Sequence, residues 1–152
     1  MPAIRPVTPA DLDALTVLLD GYRMFYQQDS DTPACRGFLH QRLERGDSHL
    51  LVHDDGSGPD GFVQLYPVLS TVSLASRWLL NDLFVAQKAR GRGIGRTLMQ
   101  AAANLAHEQG VPALMLRTQT HNHGAKALYE SLGWQKNSDF DTYMLPLPAT
   151  RP

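Results

Sequence analysis

The sequence predicts an α/β fold in which a mixed central sheet of about six to seven strands is flanked by about four helices. Apolar residues recur every three or four positions in four segments, which is typical of helices that bury one face. Short apolar runs rich in Val, Leu and Phe lie between them and indicate strands. A turn-rich stretch, Asp54 to Asp60, joins two strands as a hairpin, whereas helices separate the later ones. Antiparallel and parallel pairs are therefore expected in one sheet.

The length and composition indicate a single domain, 1–152, with residues 148–152 as a frayed tail. A formal net charge of -1 disfavours a dedicated nucleic-acid binder, because such a protein would need a basic face. No apolar run approaches the roughly 18 residues of a membrane span, and Met1 to Arg5 lacks the apolar core of a signal peptide. The one cysteine, Cys35, suits a reducing compartment, so we expect a cytoplasmic protein.

The first half of the chain is predicted to hold a short strand, Ile4 to Val7, then two helices and the hairpin. The first helix starts at Thr8 and Pro9, which suit an N-cap and a first helical position. Its apolar stripe consists of Leu12, Leu15, Leu19, Tyr22 and Tyr26. The second helix starts at Ser30 to Pro33 and ends at Gly46, and its apolar face consists of Phe38, Leu39 and Leu43. The hairpin strands are His49 to His53 and Gly61 to Val68.

The second half is predicted to alternate strands and helices. Trp78 to Val85 is almost entirely apolar, so we expect a central strand covered on both faces. A long helix follows, with Ile94, Leu98, Ala102 and Leu105 as its core stripe and Gly110 at its end. The remaining elements are a buried strand at Ala113 to Thr118, a helix at Asn122 to Leu132 with Ala125, Leu128 and Leu132 facing inward, a small strand at Trp134 and Gln135, and a last strand at Phe140 to Leu147.

A glycine-rich loop, Gln87 to Arg96, joins the central strand to the long helix. Its alternate glycines, at positions 91, 93 and 95, lack a Cβ, so backbone N–H groups can approach a ligand closely. The N-terminus of the following helix favours an anion, and three arginines add positive charge. The loop therefore predicts a pyrophosphate site, with a tight basic turn as the alternative. The dinucleotide fingerprint needs glycine at position 96, which is Arg96, and this disfavours a dinucleotide-dependent oxidoreductase.

Two motifs resemble those of the GNAT superfamily of N-acetyltransferases. Arg90, Gly93 and Gly95 match R-x-x-G-x-G, with which that family holds the pyrophosphate of acetyl-CoA. Asn122 to Trp134 matches N-x-x-A-x-x-L-Y-x-x-L-G followed by an aromatic residue, and it comes one helix and one strand later, as the family requires. Together the motifs cover roughly the second half of the chain. Asn81 to Val85, Leu116 to Thr120 and Tyr22 to Tyr26 further resemble a histone/polyamine/amino-acid acetyltransferase-like subgroup.

The resemblance implies a GNAT fold and the transfer of an acetyl group from acetyl-CoA to a primary amine of a small molecule or protein. The amine would attack the thioester directly, with no metal, and a homodimer is possible because family members often pair. The alternative is a binding module that senses acyl-CoA on the same fold without turnover. Retention of Tyr129 and Asn122 favours the enzyme.

The resemblance also assigns roles to residues. Pantetheine and thioester contacts are expected from backbone groups of Leu83, Phe84 and Val85. The expected pyrophosphate contacts are Arg90, Gly91, Arg92, Gly93, Ile94, Gly95 and Arg96. The second motif adds Asn122, Ala125 and Tyr129 near the pantetheine, with a helix N-cap as the other role of Asn122. Tyr129 is the expected general acid, because a phenol of pKa about 10 can protonate a departing thiolate of pKa about 8.5. Its alternative role is a core aromatic.

The proton acceptor and the residues that bind the acceptor each have two interpretations. An alkylamine of pKa about 10.4 must lose a proton before it attacks. Related polyamine-type enzymes often carry glutamate where this chain has Asn81, so the nearest carboxylate is Asp82, which is either the base or a structural acid. The residues expected to bind the acceptor are Tyr22, Phe25, Tyr26 and Asn81, where the alternative for the aromatics is a helix end packed on core.

Three aspartates, two histidines and the cysteine also have both a functional and a structural interpretation. Asp29, Asp31 and Asp139 could attract a cationic acceptor, although a solvated loop is the more ordinary role for each. His121 and His123 have no second ligand cluster nearby, so no metal site is expected. Cys35 falls on a helix stripe and is not expected to act as a nucleophile.

Overall fold

The computed structural model describes residues 3–149, so Met1, Pro2 and positions 150–152 of the predicted tail lie outside the described residues. The strands are β1 (Ile4–Pro6), β2 (His49–His53), β3 (Gly61–Ser70), β4 (Ala75–Val85) and β5 (Leu114–Met115). The helices are α1 (Leu12–Phe25), α2 (Thr32–Arg45), α3 (Ile94–Glu108) and α4 (His123–Ser131), with 3₁₀ turns at Pro9–Asp11 and Gln87–Ala89. The chain forms two compact units, which divide after Arg117.

The first unit contains a five-stranded sheet whose strands lie side by side in chain order. The first three pairings are antiparallel, and β4 pairs with β5 in parallel. This confirms the mixed α/β fold, although six to seven strands was too many. Helix α3 supplies the crossover between β4 and β5.

The two faces of the sheet are covered by different helices. On one face, Leu15 of α1 and Leu39 of α2 are fully buried in a cluster with Val52 and Phe62 of the sheet. On the other face, a Cβ built on Gly61 would lie 3.2 Å from the side chains of Ile94 and Leu98 of α3. Because successive residues of a strand point to opposite faces, Phe62 and its neighbour at position 61 mark the two layers.

The ends of α2 form where the local chemistry predicts them. The Asp31 side chain accepts a hydrogen bond from the Ala34 N–H at 3.1 Å, and Gly46 adopts the left-handed conformation of a C-cap, with φ of 61°. The buried face of α2 differs from the prediction. Phe38 is exposed and packs against the Arg42 guanidinium, while Cys35 is buried beside Leu39. Burial raises the pKa of the Cys35 thiol, which disfavours a nucleophilic thiolate.

The three strands predicted after α3 are wrong. The strand predicted at Ala113 to Thr118 is reduced to Leu114–Met115, and Met115 is exposed. Residues 140–147 and Trp134 with Gln135 form no strand in the described part of the chain. Helix α4 has no fully buried residue, so Ala125, Leu128 and Leu132 are at most half-buried. Apolar pattern identifies a segment that can pair, but only a neighbouring strand satisfies its backbone.

The order of burial along β4 also departs from the prediction of a strand covered on both faces. Trp78, Leu80 and Asp82 are buried, whereas Leu79 and Leu83 are half-buried. At the sheet's other edge, Arg5 of β1 pairs with Asp11 at 2.8 Å and with Asp54 at 2.9 Å.

No helix among residues 3–149 is long and apolar enough to cross a membrane.

Candidate functional site

The glycine-rich loop presents bare backbone at the start of α3. Gly91 and Gly93 have φ values of 79° and 74°, which favour glycine. Among residues 3–149, no atom beyond the chain neighbours lies within 4 Å of where a Cβ would stand on either. Gly93 is the N-cap of α3 and has no side chain to accept from the first-turn N–H groups, which lack partners inside the helix. Gly95 lies within the first turn of α3, and a Cβ built on it would have Val85 Cγ2 as its nearest neighbour, at 4.0 Å. The arrangement suits an anion held by main-chain donors.

Contacts with the β2–β3 hairpin hold this loop in place. The Ala86 N–H donates to the Asp60 carbonyl at 2.8 Å. Arg92 lies 3.4 Å from an oxygen of Asp55 and 3.9 Å from an oxygen of Asp60. His53 in turn is 2.6 Å from the other oxygen of Asp60. The hairpin carboxylates therefore orient Arg92 and offset part of its charge.

The edge of β4 that faces β5 is largely unpaired within the first unit. In the described residues the two strands pair only at Trp78 and Leu79. Because the Ala86 N–H points toward β3, alternation directs the backbone groups of Phe84 toward β3 and those of Leu83 toward the open edge. The register thus directs the backbone groups of Phe84 toward β3, and the backbone contact expected from this residue stays a prediction. Phe84 can contribute through its ring.

Two side chains cover carbonyl groups on either side of Leu83. The Tyr22 hydroxyl donates to the Asn81 carbonyl at 3.1 Å, and Arg90 Nε donates to the Val85 carbonyl at 3.0 Å. Leu83 lies between these two carbonyls along the open edge of β4. Its backbone N–H and C=O are therefore placed to extend the sheet toward a ligand.

A β-bulge shapes the middle of β4. Gln64 of β3 lies opposite Asp82, but Leu65 lies opposite Leu80, so Asn81 is the extra residue. A bulge interrupts the alternation of side chains. Leu80 and Asp82 therefore pair with consecutive residues of β3, whose side chains point to opposite faces of the sheet. Both are buried, while Asn81 between them is exposed.

A chain of buried polar side chains surrounds Asp82, which is only 5% exposed. Gln64 Nε2 donates to Asp82 Oδ2 at 2.6 Å, and Asn81 Nδ2 donates to Oδ1 at 2.8 Å. Ser48 Oγ donates to Gln64 Oε1 at 2.9 Å, which fixes the orientation of the amide. Burial raises the pKa of Asp82, while hydrogen bonds from Gln64, Asn81 and Tyr22 oppose the rise.

Gln64 is a residue that sequence reasoning missed. The signal was present as a lone glutamine in the apolar run from Phe62 to Leu65. A fully buried amide in such a strand needs polar partners, but sequence alone does not say which strand supplies them.

Four aromatic rings from α1 and β4 form one connected surface, the aromatic platform, made of Tyr22, Phe25, Tyr26 and Phe84. Tyr22 lies 5.0 Å from Tyr26 and 6.0 Å from Phe84 between ring centroids, and Phe25 lies 5.3 Å from Tyr26. Gly21 permits this packing, because a Cβ there would stand 3.2 Å from the Phe84 ring. The three aromatics expected to bind the acceptor are thus brought together, with Asn81 beside Tyr22.

The acidic residues expected to attract a cation have other contacts or lie apart. Asp31 caps α2, and the Asp29 carbonyl accepts a hydrogen bond from Arg23. Asp20, which the sequence did not single out, binds the Ser30 hydroxyl and the Asp31 N–H, each at 2.7 Å. Asp139 belongs to the second unit and is exposed. Asp20, Asp29 and Asp31 therefore organise the connection between α1 and α2.

The second unit holds the residues of the second motif. The Asn122 side chain accepts from the Ala125 N–H at 3.2 Å, so it caps α4. The rings of Tyr129 and Trp134 lie 6.3 Å apart, and the Trp134 N–H donates to the Tyr129 carbonyl at 3.0 Å. The described residues contain no cluster of three His, Cys, Asp or Glu side chains suited to a metal ion.

Comparison with known proteins places this geometry in a family. Residues 13–134 match the Acetyltransferase (GNAT) family. The uncharacterised N-acetyltransferase YhfO of Bacillus subtilis (strain 168) is 40% identical over 146 residues, covering 96% of this chain and 98% of that protein. A probable acetyltransferase of Haemophilus influenzae is 30% identical over 98 residues, covering 64% and 67% of the two chains. The crystal structure of a probable acetyltransferase is 35% identical with a TM-score of 0.90, covering 97% and 99%.

The fold and these matches together define an acyltransferase. The chain belongs to the Acetyltransferase (GNAT) family, and it is an enzyme of acetyl transfer. Membership of this family implies acetyl-CoA as the donor of the acetyl group.

Proposed function

We propose that this enzyme acetylates a primary amine by direct attack of the amine on the thioester of bound acetyl-CoA. The observation that carries the proposal is the open edge of β4, which leads directly into the bare N-terminus of α3. One ligand that is a diphosphate at one end and an extended amide chain at the other matches both features. Acetyl-CoA has that form.

The proposal assigns the two halves of the coenzyme to backbone groups of the first unit. The diphosphate accepts hydrogen bonds from N–H groups between Gly91 and Arg96, where the dipole of α3 adds to the attraction. The pantetheine arm extends the sheet by bonding to Leu83, whose backbone groups face the open edge of β4. An N–H of the same edge, from Leu83 or Val85, stabilises the oxyanion that forms as the amine attacks.

The proposal assigns Asp82 as the acceptor of the amine proton, either directly or through water. Its burial favours the protonated form, while its amide donors hold both oxygens in a fixed orientation. A carboxylate has about four lone-pair sites, so the donors of Gln64, Asn81 and Tyr22 leave room for one more hydrogen bond. The exposed Asn81 at the bulge is then the nearest polar group to the incoming amine.

Tyr129 is proposed as the general acid, and the support is its place in the second motif. A phenol remains protonated at neutral pH and can donate as the thiolate of coenzyme A departs. Asn122 and Ala125 are proposed to lie near the pantetheine on the same ground.

The test is thiol release from acetyl-CoA across polyamines, amino acids, aminoglycosides and basic peptides, with mass spectrometry of the products. The expected result is thiol release with one class of amine and recovery of its N-acetyl product. Binding of acetyl-CoA with no release for any amine would favour the sensor alternative. An acetylated protein formed before amine is added would overturn direct attack.

The proposal also includes an oligomeric state and a cellular location. A homodimer is supported by a run of exposed apolar residues in the second unit, which consists of Phe140, Tyr143, Met144, Leu145 and Leu147. Sedimentation analysis tests it, and a monomer at micromolar concentration would contradict it. A cytoplasmic location fits the buried free thiol of Cys35, because thiols stay reduced there.

A further inference from the structure

We propose that the Arg90 side chain binds a carboxylate on the acceptor, so that the preferred acceptor is an amine that also carries a carboxylate. The proposal rests on the acetyl-transfer function argued above and adds the chemical class of the acceptor. It gives the side chain of Arg90 a role separate from that of the backbone of the glycine-rich loop.

The Arg90 guanidinium is held against the aromatic platform rather than turned into the loop. Its Nε donates to the Val85 carbonyl at 3.0 Å. Its central carbon lies 5.4 Å from the ring centroid of Phe84 and 5.9 Å from that of Phe25. Two ring faces and one carbonyl therefore fix the guanidinium before any ligand arrives.

The rest of the guanidinium is available to a ligand. Among residues 3–149, Nη1 and Nη2 of Arg90 have no hydrogen-bond or ion-pair partner, and the residue is exposed. Arg92 in the same loop differs, because Asp55 and Asp60 lie beside it. The two Nη groups of a guanidinium form a planar fork that matches the two oxygens of a carboxylate.

The position of the fork relative to Asp82 sets what else the acceptor must carry. Asp82 and Phe84 are two residues apart on β4, so their side chains leave the same face about 7 Å apart. Tyr22 lies between Phe84 and the residue next to Asp82, because its ring contacts Phe84 and its hydroxyl donates to the Asn81 carbonyl. An acceptor lying on the aromatic platform therefore has a cation at one end and the proposed proton acceptor at the other.

This arrangement selects against an acceptor that carries only positive charge. A polyamine would place a second ammonium near the Arg90 guanidinium, where like charges repel. An amino acid instead places its carboxylate on Arg90 and its amine toward Asp82. Exposed rings of Phe25 and Tyr26 can cover an apolar side chain of such an acceptor.

The experiment compares matched acceptors in matched variants. The acceptors are α-, β- and γ-amino acids, the α-amino acids as both enantiomers, each beside its own carboxamide. The variants are Arg90→Gln, Arg90→Lys and the control Arg45→Gln, an exposed arginine in the last turn of α2. Acetyl-CoA affinity is measured for each variant and also reports whether it is folded.

The wild type is expected to prefer an amino acid over its carboxamide by about tenfold or more in kcat/KM. Arg90→Gln should remove that preference, and Arg90→Lys should reduce it because lysine lacks the fork. Both should keep wild-type affinity for acetyl-CoA, because the proposed diphosphate donors are backbone N–H groups from Gly91 onward. Arg45→Gln should keep the preference. The inference is overturned if the wild type shows no preference. It is also overturned if Arg90→Gln weakens acetyl-CoA binding and leaves acceptor discrimination intact, since the side chain would then serve the coenzyme.

The acceptor class can be tested separately from the reaction. Calorimetry measures binding of each amino acid and its carboxamide to the protein saturated with coenzyme A. If no amine is acetylated but the amino acid binds more tightly and Arg90→Gln abolishes the difference, the proposed function fails and this inference stands. If amines are acetylated without regard to a carboxylate, the proposed function stands and this inference fails.

Discussion

Gln64 Nε2 donates to Asp82 Oδ2 at 2.6 Å, across the two strands whose register shifts at that point. The bond explains why a glutamine with no exposed surface is tolerated in an apolar strand, and why a buried carboxylate can stay oriented. It also makes Gln64 a positioning residue for the proposed proton acceptor. The predictions below begin from this pair.

Replacing Gln64 with leucine should alter the pH dependence of the reaction. A donor to the ionised carboxylate is lost, so the pKa of Asp82 should rise further and the acidic limb of kcat/KM should move to higher pH. Stability should fall by about 1–3 kcal/mol, because the Ser48 hydroxyl also loses its partner. Ser48→Ala keeps the Gln64 amide and serves as the control, so it should move the limb less than Gln64→Leu does. A stability loss in Gln64→Leu with no movement of the limb would show that Gln64 has only a structural role.

Gly95→Ala should weaken acetyl-CoA binding without harming the fold. Gly95 is helical with no positive φ, and its new methyl group would meet no protein atom closer than 4.0 Å. Alanine in a helix should raise stability by about 0.5–1 kcal/mol. The methyl group would, however, occupy space beside the proposed diphosphate, and we expect an affinity loss of about tenfold or more.

The control for that substitution is Gly37→Ala in α2, where a Cβ also meets nothing within 4 Å. It should show the same gain in thermal stability with unchanged coenzyme affinity. Equal affinity in both variants, measured by calorimetry, would remove Gly95 from the diphosphate site.

Tyr129→Phe should lower turnover by about 10²- to 10⁴-fold and leave the dissociation constant of acetyl-CoA nearly unchanged. The reason is that only the proton donor to the thiolate is removed, and general acids contribute that range. Tyr143→Phe is the matched control, because that phenol is exposed in the same unit. Single-turnover rates for the two variants decide the role, and equal rates would exclude Tyr129 as the acid.

Asp11→Asn should destabilise the protein at neutral pH but not in strong acid. The Arg5 guanidinium lowers the pKa of Asp11 from 3.8 to about 2, so this carboxylate stabilises the fold fully above pH 3.8. That contribution is lost as pH falls through about 2, when the folded state also takes up the proton. Since the Arg5 side chain is partly exposed, screening reduces the effect to about 1–2 kcal/mol.

The check on Asp11 is urea unfolding of the wild type and the variant between pH 7 and pH 2. The difference between the two should be constant down to about pH 4 and then shrink. Asp13→Asn is the control, because Asp13 is highly exposed in its pair with Arg36 and should contribute little. A difference that stays constant down to pH 2 would mean that the charge of Asp11 does not contribute.

Much of the first unit could be predicted because its signals are local. The ends of α2, the turn from Asp54 to Asp60 and the glycines before α3 each depend on the conformation of a few consecutive residues. The motifs on which the family assignment first rested, Arg90 to Gly95 and Asn122 to Trp134, are also continuous stretches of chain. For such features the residues that cause the structure are neighbours in sequence.

Only the tertiary structure determined the features that form where two segments distant in sequence meet. The register of β3 on β4 turned the backbone of Phe84 inward, placed Gln64 opposite Asp82 and made Asn81 the bulged residue. The packing of α1 on the sheet brought Phe25 and Phe84 to the Arg90 guanidinium. An apolar pattern states which side chains avoid water, but it does not state which partner each strand edge finds. That choice depends on packing and hydrogen bonding over the whole sheet, which no single stretch of sequence contains.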